Sequence, residues 1–94
     1  MKFIITKLDR RYKGRNQFTH YITPVWGTSL ANKLQFVQWR TWCWETWGPG
    51  LERDLAIELM LPVRWGWQQD AYTRRLYFVS EKELRWFILK WSSE

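Results

Sequence analysis

The sequence predicts an α+β domain in which about five mainly antiparallel strands are covered on one face by a C-terminal helix and one shorter helix. Short segments rich in β-branched and aromatic residues alternate with turn residues, which is typical of antiparallel strands. The last segment combines a helix start signal with an apolar stripe of helical period. The length of 94 residues suits a single domain, residues 1–94, with its own hydrophobic core.

Two strands are predicted at the beginning of the chain. The segment 2–8, KFIITKL, alternates and is rich in β-formers. The segment 18–23, FTHYIT, would return antiparallel to it, and Pro24 ends that strand or marks a sheet edge. Between them, Gly14 and Asn16 suit a loop that contains residues of positive φ.

The tryptophan-rich segment 35–47 is compatible with either secondary structure. Before it, residues 28–34 offer at most a short helical turn with Thr28 or Ser29 as the N-cap. A helix over 35–47 would place one group of residues on one side, namely Trp39, Cys43 and Trp47, with Trp44 well away from them. A strand would divide the segment into an odd face of Val37, Trp39, Thr41 and Cys43 and an even face of Phe36, Gln38, Arg40, Trp42 and Trp44. The valine, threonine, phenylalanine and tryptophan content favours the strand, which Gly48-Pro49-Gly50 would end.

The second half of the chain predicts a helix, a hairpin and a second helix. Residues 51–60 are good helix formers, and Pro62 follows them. Residues 63–68 and 74–79 alternate on either side of a polar connection, which indicates a β-hairpin.

The C-terminal helix has the clearest signals. Ser80 and Glu83 have the S-x-x-E spacing of a capping box at a strand-to-helix junction. Four apolar residues then share one helical stripe, namely Leu84, Phe87, Ile88 and Trp91. We expect this stripe to cover Val37, Trp39 and Cys43, and Trp42 and Trp44 to be more exposed than Trp39.

Composition and targeting signals limit the class of protein. Nine tryptophans are far more than a chain of 94 residues normally contains, and each can bury about 150–250 Å². The single cysteine excludes an intrachain disulfide and fits a reducing compartment. The apolar run after Lys2 is too short for a signal peptide, and no stretch approaches a membrane span. We therefore expect a cytoplasmic protein with no membrane partner.

Catalytic and metal-binding patterns are missing from the sequence. His20 is the single histidine, whereas a metal site usually needs several ligands at a recognisable spacing. Cys43 with His20 as its base is the one conceivable nucleophile pair, but Cys43 lies between two tryptophans on the predicted core face. The expectation is a non-enzymatic protein without catalytic residues, metal, cofactor or small-molecule substrate.

Positive charge is concentrated in the first half of the chain. The net charge is +6, and residues 1–47 have eight basic side chains against two acidic ones. One hypothesis is sequence-tolerant binding of single-stranded nucleic acid. Its residues would be a basic loop of Arg10, Arg11, Tyr12, Lys13 and Arg15 and a strand platform of Arg40, Trp42 and Trp44. The alternatives are a solvated loop tip and a platform covered by a second layer.

Trp86 indicates a different kind of surface. On the predicted C-terminal helix it lies nearly opposite the apolar stripe, one turn from Lys82 and one turn from Lys90. Tryptophan is enriched among the residues that dominate protein interfaces, so Trp86, Lys82 and Lys90 are the predicted partner-binding residues. A loop that covers Trp86, or the shielding of its ring by the lysine stems, is the alternative.

Two stretches of the chain show a family resemblance. WCWETWGPG, residues 42–50, and LYFVSEKELRWFILKW, residues 76–91, resemble small uncharacterised proteins encoded by tailed bacteriophages. The resemblance implies a protein made in the host cytoplasm during infection and implies no activity or functional residue. Together with the absent catalytic pattern, it favours a small binding protein that acts through protein–protein interaction, with a host protein or a second copy of the chain as partner.

Overall fold

Within the residues that the structure describes, the fold is a five-stranded sheet with three helices. The computed structural model describes residues 3–8, 18–24, 29–59, 63–70 and 74–92. The elements in chain order are β1 (Phe3–Lys7), β2 (His20–Pro24), α1 (Ser29–Trp47), β3 (Leu51–Glu52), α2 (Arg53–Leu59), β4 (Trp65–Gln69), β5 (Arg74–Phe78) and α3 (Glu81–Trp91). The predicted α+β class is confirmed.

The sheet has the strand order β1-β2-β5-β4-β3. Its neighbouring strands are antiparallel, apart from the short parallel pair of β3 and β4. The registers place Ile5 opposite Ile22 and Trp67 opposite Leu76. Both predicted pairings, 2–8 with 18–23 and 63–68 with 74–79, are therefore confirmed.

The prediction of a strand over residues 35–47 is wrong, because this segment belongs to the 19-residue helix α1. Apolar side chains occupy two sides of α1. The inner side has Phe36, Trp39 and Cys43, which are fully buried, and the outer side has Leu30, Leu34, Val37 and Trp44, which are about half or more exposed. A helix that is apolar on two sides has a composition that resembles a strand and lacks a clear polar face.

The helical period also decides which of the predicted core residues are buried. Residues four apart lie on the same side of a strand and nearly the same side of a helix, so Trp39 and Cys43 are both buried as expected. Residues two apart lie about 200° around a helix from each other. Val37 was expected beside Trp39 but is 50 % exposed for this reason.

The helix expected over residues 51–60 begins later than predicted. Leu51 and Glu52 form β3 and pair with Gly66 and Trp67 of β4. The helix α2 then starts at Arg53, where Glu52 accepts hydrogen bonds from two amides of its first turn.

The shorter helix α2 and the C-terminal helix α3 cover different faces of the sheet. Ala56 of α2 is buried in a small cluster with Phe18 and Tyr77. Tyr77 points away from its strand neighbours Leu76 and Phe78, which belong to the main core. The two predicted helices were expected on one face of the sheet, but only α3 lies on the main-core face, together with α1. The shorter helix α2 lies on the opposite face.

The main core lies between the sheet and the helices α1 and α3. The predicted stripe of α3 is confirmed, since Leu84, Phe87 and Trp91 are buried and Ile88 packs against them. The ring centroid of Phe87 is 5.2 Å from that of Trp39 on α1 and 5.4 Å from that of Phe78 on β5. Phe87 thus joins both helices to the sheet.

The junction between β5 and α3 uses the predicted capping residues in an altered arrangement. Ser80 is the N-cap and has extended backbone, but its side chain does not cap the helix. Its hydroxyl donates instead to the carboxylate of Glu83, and Arg64 donates to Glu83 Oε1 from Nε at 3.2 Å and Nη2 at 3.1 Å. Burial opposes ionisation of Glu83, but the hydrogen bonds from Ser80, the Glu83 amide and Arg64 outweigh it and hold its pKa below the ordinary value.

Two glycines end α1 and fix the following turn. Gly48 has a φ of +81° and donates its amide to the carbonyl of Trp44 at 2.9 Å, as at left-handed helix C-caps. The carbonyl of Gly48 accepts a hydrogen bond of 2.9 Å from Trp65 Nε1. A Cβ at Gly50 would overlap the buried ring of Trp65, so this indole packs directly on the glycine backbone.

Candidate binding surfaces

The outer face of α3 presents a pair of exposed apolar side chains. Trp86 is 51 % exposed and Leu89, one turn further along, is 77 % exposed. They line a shallow groove of about 370 Å³ together with Glu81, Lys82 and Arg85. We call this group the α3 patch. Trp86 and Lys82 were predicted as site residues from the sequence, whereas Leu89 and Arg85 were not.

The rim of the α3 patch is positively charged. Arg85 Nη2 donates to Glu81 Oε1 at 2.9 Å. Lys82 is exposed one turn before Trp86, and exposed Lys90 is one turn after it, with its Nζ 5.2 Å from the ring centroid of Trp91. Two cations and one carboxylate therefore line the patch with the indole, and Lys90 lies one turn further along the helix. The signal that could have revealed Leu89 is its spacing of three residues from Trp86.

A second groove, of about 400 Å³, lies between α1 and β4. Its lining consists of Val37, Arg40, Thr41, Trp44, Glu45, Trp65 and Trp67. We call it the α1–β4 groove. Arg40 and Trp44 of the predicted nucleic-acid site both line it, since residues four apart share one side of a helix. Sequence reasoning missed Trp65 and Trp67, because their position depends on the packing of a helix that was predicted as a strand.

Arg40 is held by two contacts at the edge of the α1–β4 groove. Its guanidinium carbon lies 3.9 Å from the ring centroid of Trp67, and its Nη1 donates to Gln69 Oε1 at 3.3 Å. Burial lowers the pKa of Arg40 from its ordinary value, although a guanidinium in a protein stays protonated. The ion pairs within the described residues do not include Arg40. The groove that it lines also contains three tryptophans and one carboxylate, that of Glu45.

The predicted platform of Arg40, Trp42 and Trp44 is not formed. In a helix, Trp42 lies about 200° from Trp44 and turns inward, whereas Trp44 is 56 % exposed. The ring centroid of Trp42 is 5.1 Å from that of Trp47 and 5.8 Å from that of Phe87, so Trp42 is a packing residue. The expectation that Trp42 and Trp44 are more exposed than Trp39 is confirmed.

The basic loop predicted to contact phosphates lies outside the described residues. It comprises Arg10, Arg11, Tyr12, Lys13 and Arg15. These residues remain part of the nucleic-acid hypothesis as a prediction from the sequence.

Cys43 and His20 have different environments. Cys43 is fully buried, and burial raises the pKa of its thiol far above the ordinary value, which disfavours the reactive thiolate. His20 Nδ1 lies 2.8 Å from the hydroxyl of Thr19. Burial lowers the pKa of His20, Glu81 raises it and Lys7 lowers it, and the net change is downward.

The described residues contain no cluster of three or more histidine, cysteine or carboxylate side chains placed to hold a metal ion. No helix within the same ranges has both the length and the apolar character needed to cross a membrane.

Comparison of the chain with protein-family models, curated protein sequences and solved structures finds no match.

Proposed function

We propose that this chain is a small non-enzymatic protein that binds another protein through the α3 patch. The observation behind the proposal is the adjacent exposure of Trp86 and Leu89 on a helix whose opposite side already fills the core. The packing of α3 on the sheet does not need either side chain. Tryptophan is enriched among the few residues that dominate binding at protein interfaces.

The charge of the rim selects the class of partner. Lys82 and Arg85 line the patch with Trp86, Lys90 lies one turn beyond it, and Glu81 is the single carboxylate of the lining. An acidic surface with an apolar pocket for the indole is the complementary partner. A two-fold dimer through the same patch would place these cations against their own copies, so a different protein fits better than a second copy.

The size of the patch indicates how far the interface extends. One tryptophan and one leucine supply only part of the roughly 800 Å² per partner of a stable interface. The cationic side chains would form its polar rim. The resemblance of residues 42–50 and 76–91 to small phage proteins supports a host protein in the cytoplasm as this partner.

Affinity capture with matched variants tests the proposal. Tagged wild-type protein, Trp86→Ala and Trp44→Ala would each be incubated with cytoplasmic lysate, and captured proteins would be quantified by mass spectrometry. Trp44 is the matched control because its indole is exposed to a similar degree on another helix. We expect an acidic protein that wild type and Trp44→Ala retain and that Trp86→Ala loses.

The same set of variants defines the contradicting outcome. Truncation of a hot-spot tryptophan typically weakens binding by about 2 kcal/mol or more, which is a factor of about 30 in Kd. A captured protein that binds wild type and Trp86→Ala equally well would refute the role of the α3 patch. Sedimentation velocity checks the charge argument, because a dimer abolished by Trp86→Ala would identify a second copy as the partner.

A further inference from the structure

We propose that the α1–β4 groove binds a single-stranded nucleic acid, with one base stacked on Trp44 and its phosphate on the guanidinium of Arg40. This site is separate from the α3 patch and does not depend on the protein partner proposed above. It also differs from the platform expected from the sequence, since Trp42 has no part in it.

The aromatic component of the site is Trp44. Its indole is 56 % exposed and lines a groove whose other apolar walls include Val37, Trp65 and Trp67. Arg40 already occupies one face of Trp67, so Trp44 supplies the open stacking surface. A base that stacks there would move from water onto an apolar surface, and stacking tolerates every base because each has a π-face.

The anionic component of the ligand is indicated by Arg40. Its stacking on Trp67 and its hydrogen bond to Gln69 fix the guanidinium before any ligand arrives. A fixed guanidinium without a carboxylate partner among the described residues suits the bidentate recognition of a phosphate.

A second guanidinium group lies next to the end of the groove where Arg40 contacts Gln69. Arg74 of β5 is the register partner of Gln69 and therefore lies on the same face of the sheet. Its Nε is buried and has no hydrogen-bond partner within the described residues. Arg74 thus adds a second positive charge beside Gln69, next to the position of Arg40.

The remaining charges fix the orientation of the ligand. Glu45 also lines the groove, so its carboxylate disfavours a phosphate near it and leaves the Arg40–Gln69 end as the phosphate position. The net charge of +6 favours a polyanion over an isolated anion, since each additional phosphate releases counterions.

Fluorescence anisotropy of a labelled single-stranded DNA of about ten nucleotides tests the site. Trp44→Ala should weaken binding by about 5- to 150-fold and leave the salt dependence unchanged, because a stacking contact releases no counterion. Trp44→Phe should fall between wild type and Trp44→Ala. Arg40→Gln should reduce the slope of log K against log salt by about 0.7, the value for one phosphate of a single strand.

Controls on α3 separate this site from general electrostatic attraction. Trp86→Ala and Lys82→Gln remove an exposed indole and an exposed cation outside the groove, and each should change the affinity less than twofold. Circular dichroism would show that each variant is folded. The proposal is overturned if wild type does not bind at low ionic strength, or if Lys82→Gln weakens binding as much as Arg40→Gln. It is equally overturned if polyglutamate displaces the DNA as well as an unlabelled oligonucleotide does, since an acidic protein would then be the better ligand.

Discussion

Truncation of Phe87 to alanine should remove a large part of the stability of this domain. Phe87 is fully buried, and its ring lies within 5.2–6.2 Å, centroid to centroid, of five other aromatic rings. Phe→Ala in a protein core costs about 3–5 kcal/mol. A cavity bounded by rings from β1, α1, β5 and α3 has little freedom to collapse, which favours the upper half of that range. The total stability of a domain is only about 5–15 kcal/mol.

Urea unfolding followed by circular dichroism and tryptophan fluorescence measures this loss. A loss of about 4–5 kcal/mol corresponds to a fall in Tm of roughly 16–40 °C in a domain of this size. Leu89→Ala is the control, since Leu89 is on the same helix and 77 % exposed, and it should change the free energy of unfolding by less than about 0.5 kcal/mol. If Phe87→Ala unfolds at the same urea concentration as wild type, or Leu89→Ala is the more damaging change, α3 does not pack through the Leu84–Trp91 stripe.

Three further predictions concern the junction, the turn and the thiol. Glu83→Gln should destabilise the protein by about 1.5 kcal/mol at pH 7, because it weakens charge-assisted hydrogen bonds. Folding lowers the pKa of Glu83, so its contribution to stability is present above the unfolded pKa and is lost as pH falls through the folded pKa. Urea unfolding at pH 7 and pH 3 should therefore show a smaller difference in free energy of unfolding between wild type and Glu83→Gln at pH 3. Gly50→Ala should cost about 1–3 kcal/mol, since its Cβ would overlap Trp65, and an unchanged urea midpoint would contradict that contact. Cys43 should react with iodoacetamide only at the rate of unfolding, and rapid labelling of the native protein would show that the thiol is accessible.

The strand pairings and the C-terminal helix were predictable because their signals are local. The alternation of KFIITKL and the S-x-x-E spacing before LRWFILKW each depend on a few neighbouring residues. The same strong local signals define the β4–β5 hairpin. In these segments the local preferences and the final packing agree, so the prediction did not depend on the rest of the fold.

The helix α1 was not predictable in this way, since its outer side is nearly as apolar as its core side. A strand and a helix over residues 35–47 differ most in where they place residues that are two positions apart. A strand places Val37 with Trp39, and Trp42 with Trp44, whereas a helix separates both pairs. The burial of Trp39 and Cys43 was predicted correctly because a spacing of four residues gives the same answer under either period.

The two candidate sites were predictable to different extents, because one depends on a single helix and the other on packing between distant segments. Trp86 and its lysines follow from a helix that was assigned correctly, so the prediction located that surface and missed only its neighbours. The α1–β4 groove depends on the contact between a helix and a strand far apart in sequence, where Arg40 stacks on Trp67. Pairwise spacing suggested that Arg40 and Trp44 share a face, but nothing local could place Trp65 and Trp67 beside them.

The large tryptophan content divides into a packing part and an exposed part. Within the described residues, Trp39, Trp65 and Trp91 are buried and three others are partly buried, so six indoles contribute to packing. The two that are more than half exposed, Trp44 and Trp86, each lie on the outer side of a helix, four residues after a cation. That spacing puts a positive charge one turn from an open indole, an arrangement that can attract an anionic partner and bind its apolar or aromatic part. The two helices that build the core therefore have the same pair of groups on their outer sides, and the residues beside each pair are the reason for proposing a protein partner at α3 and a base with its phosphate at α1.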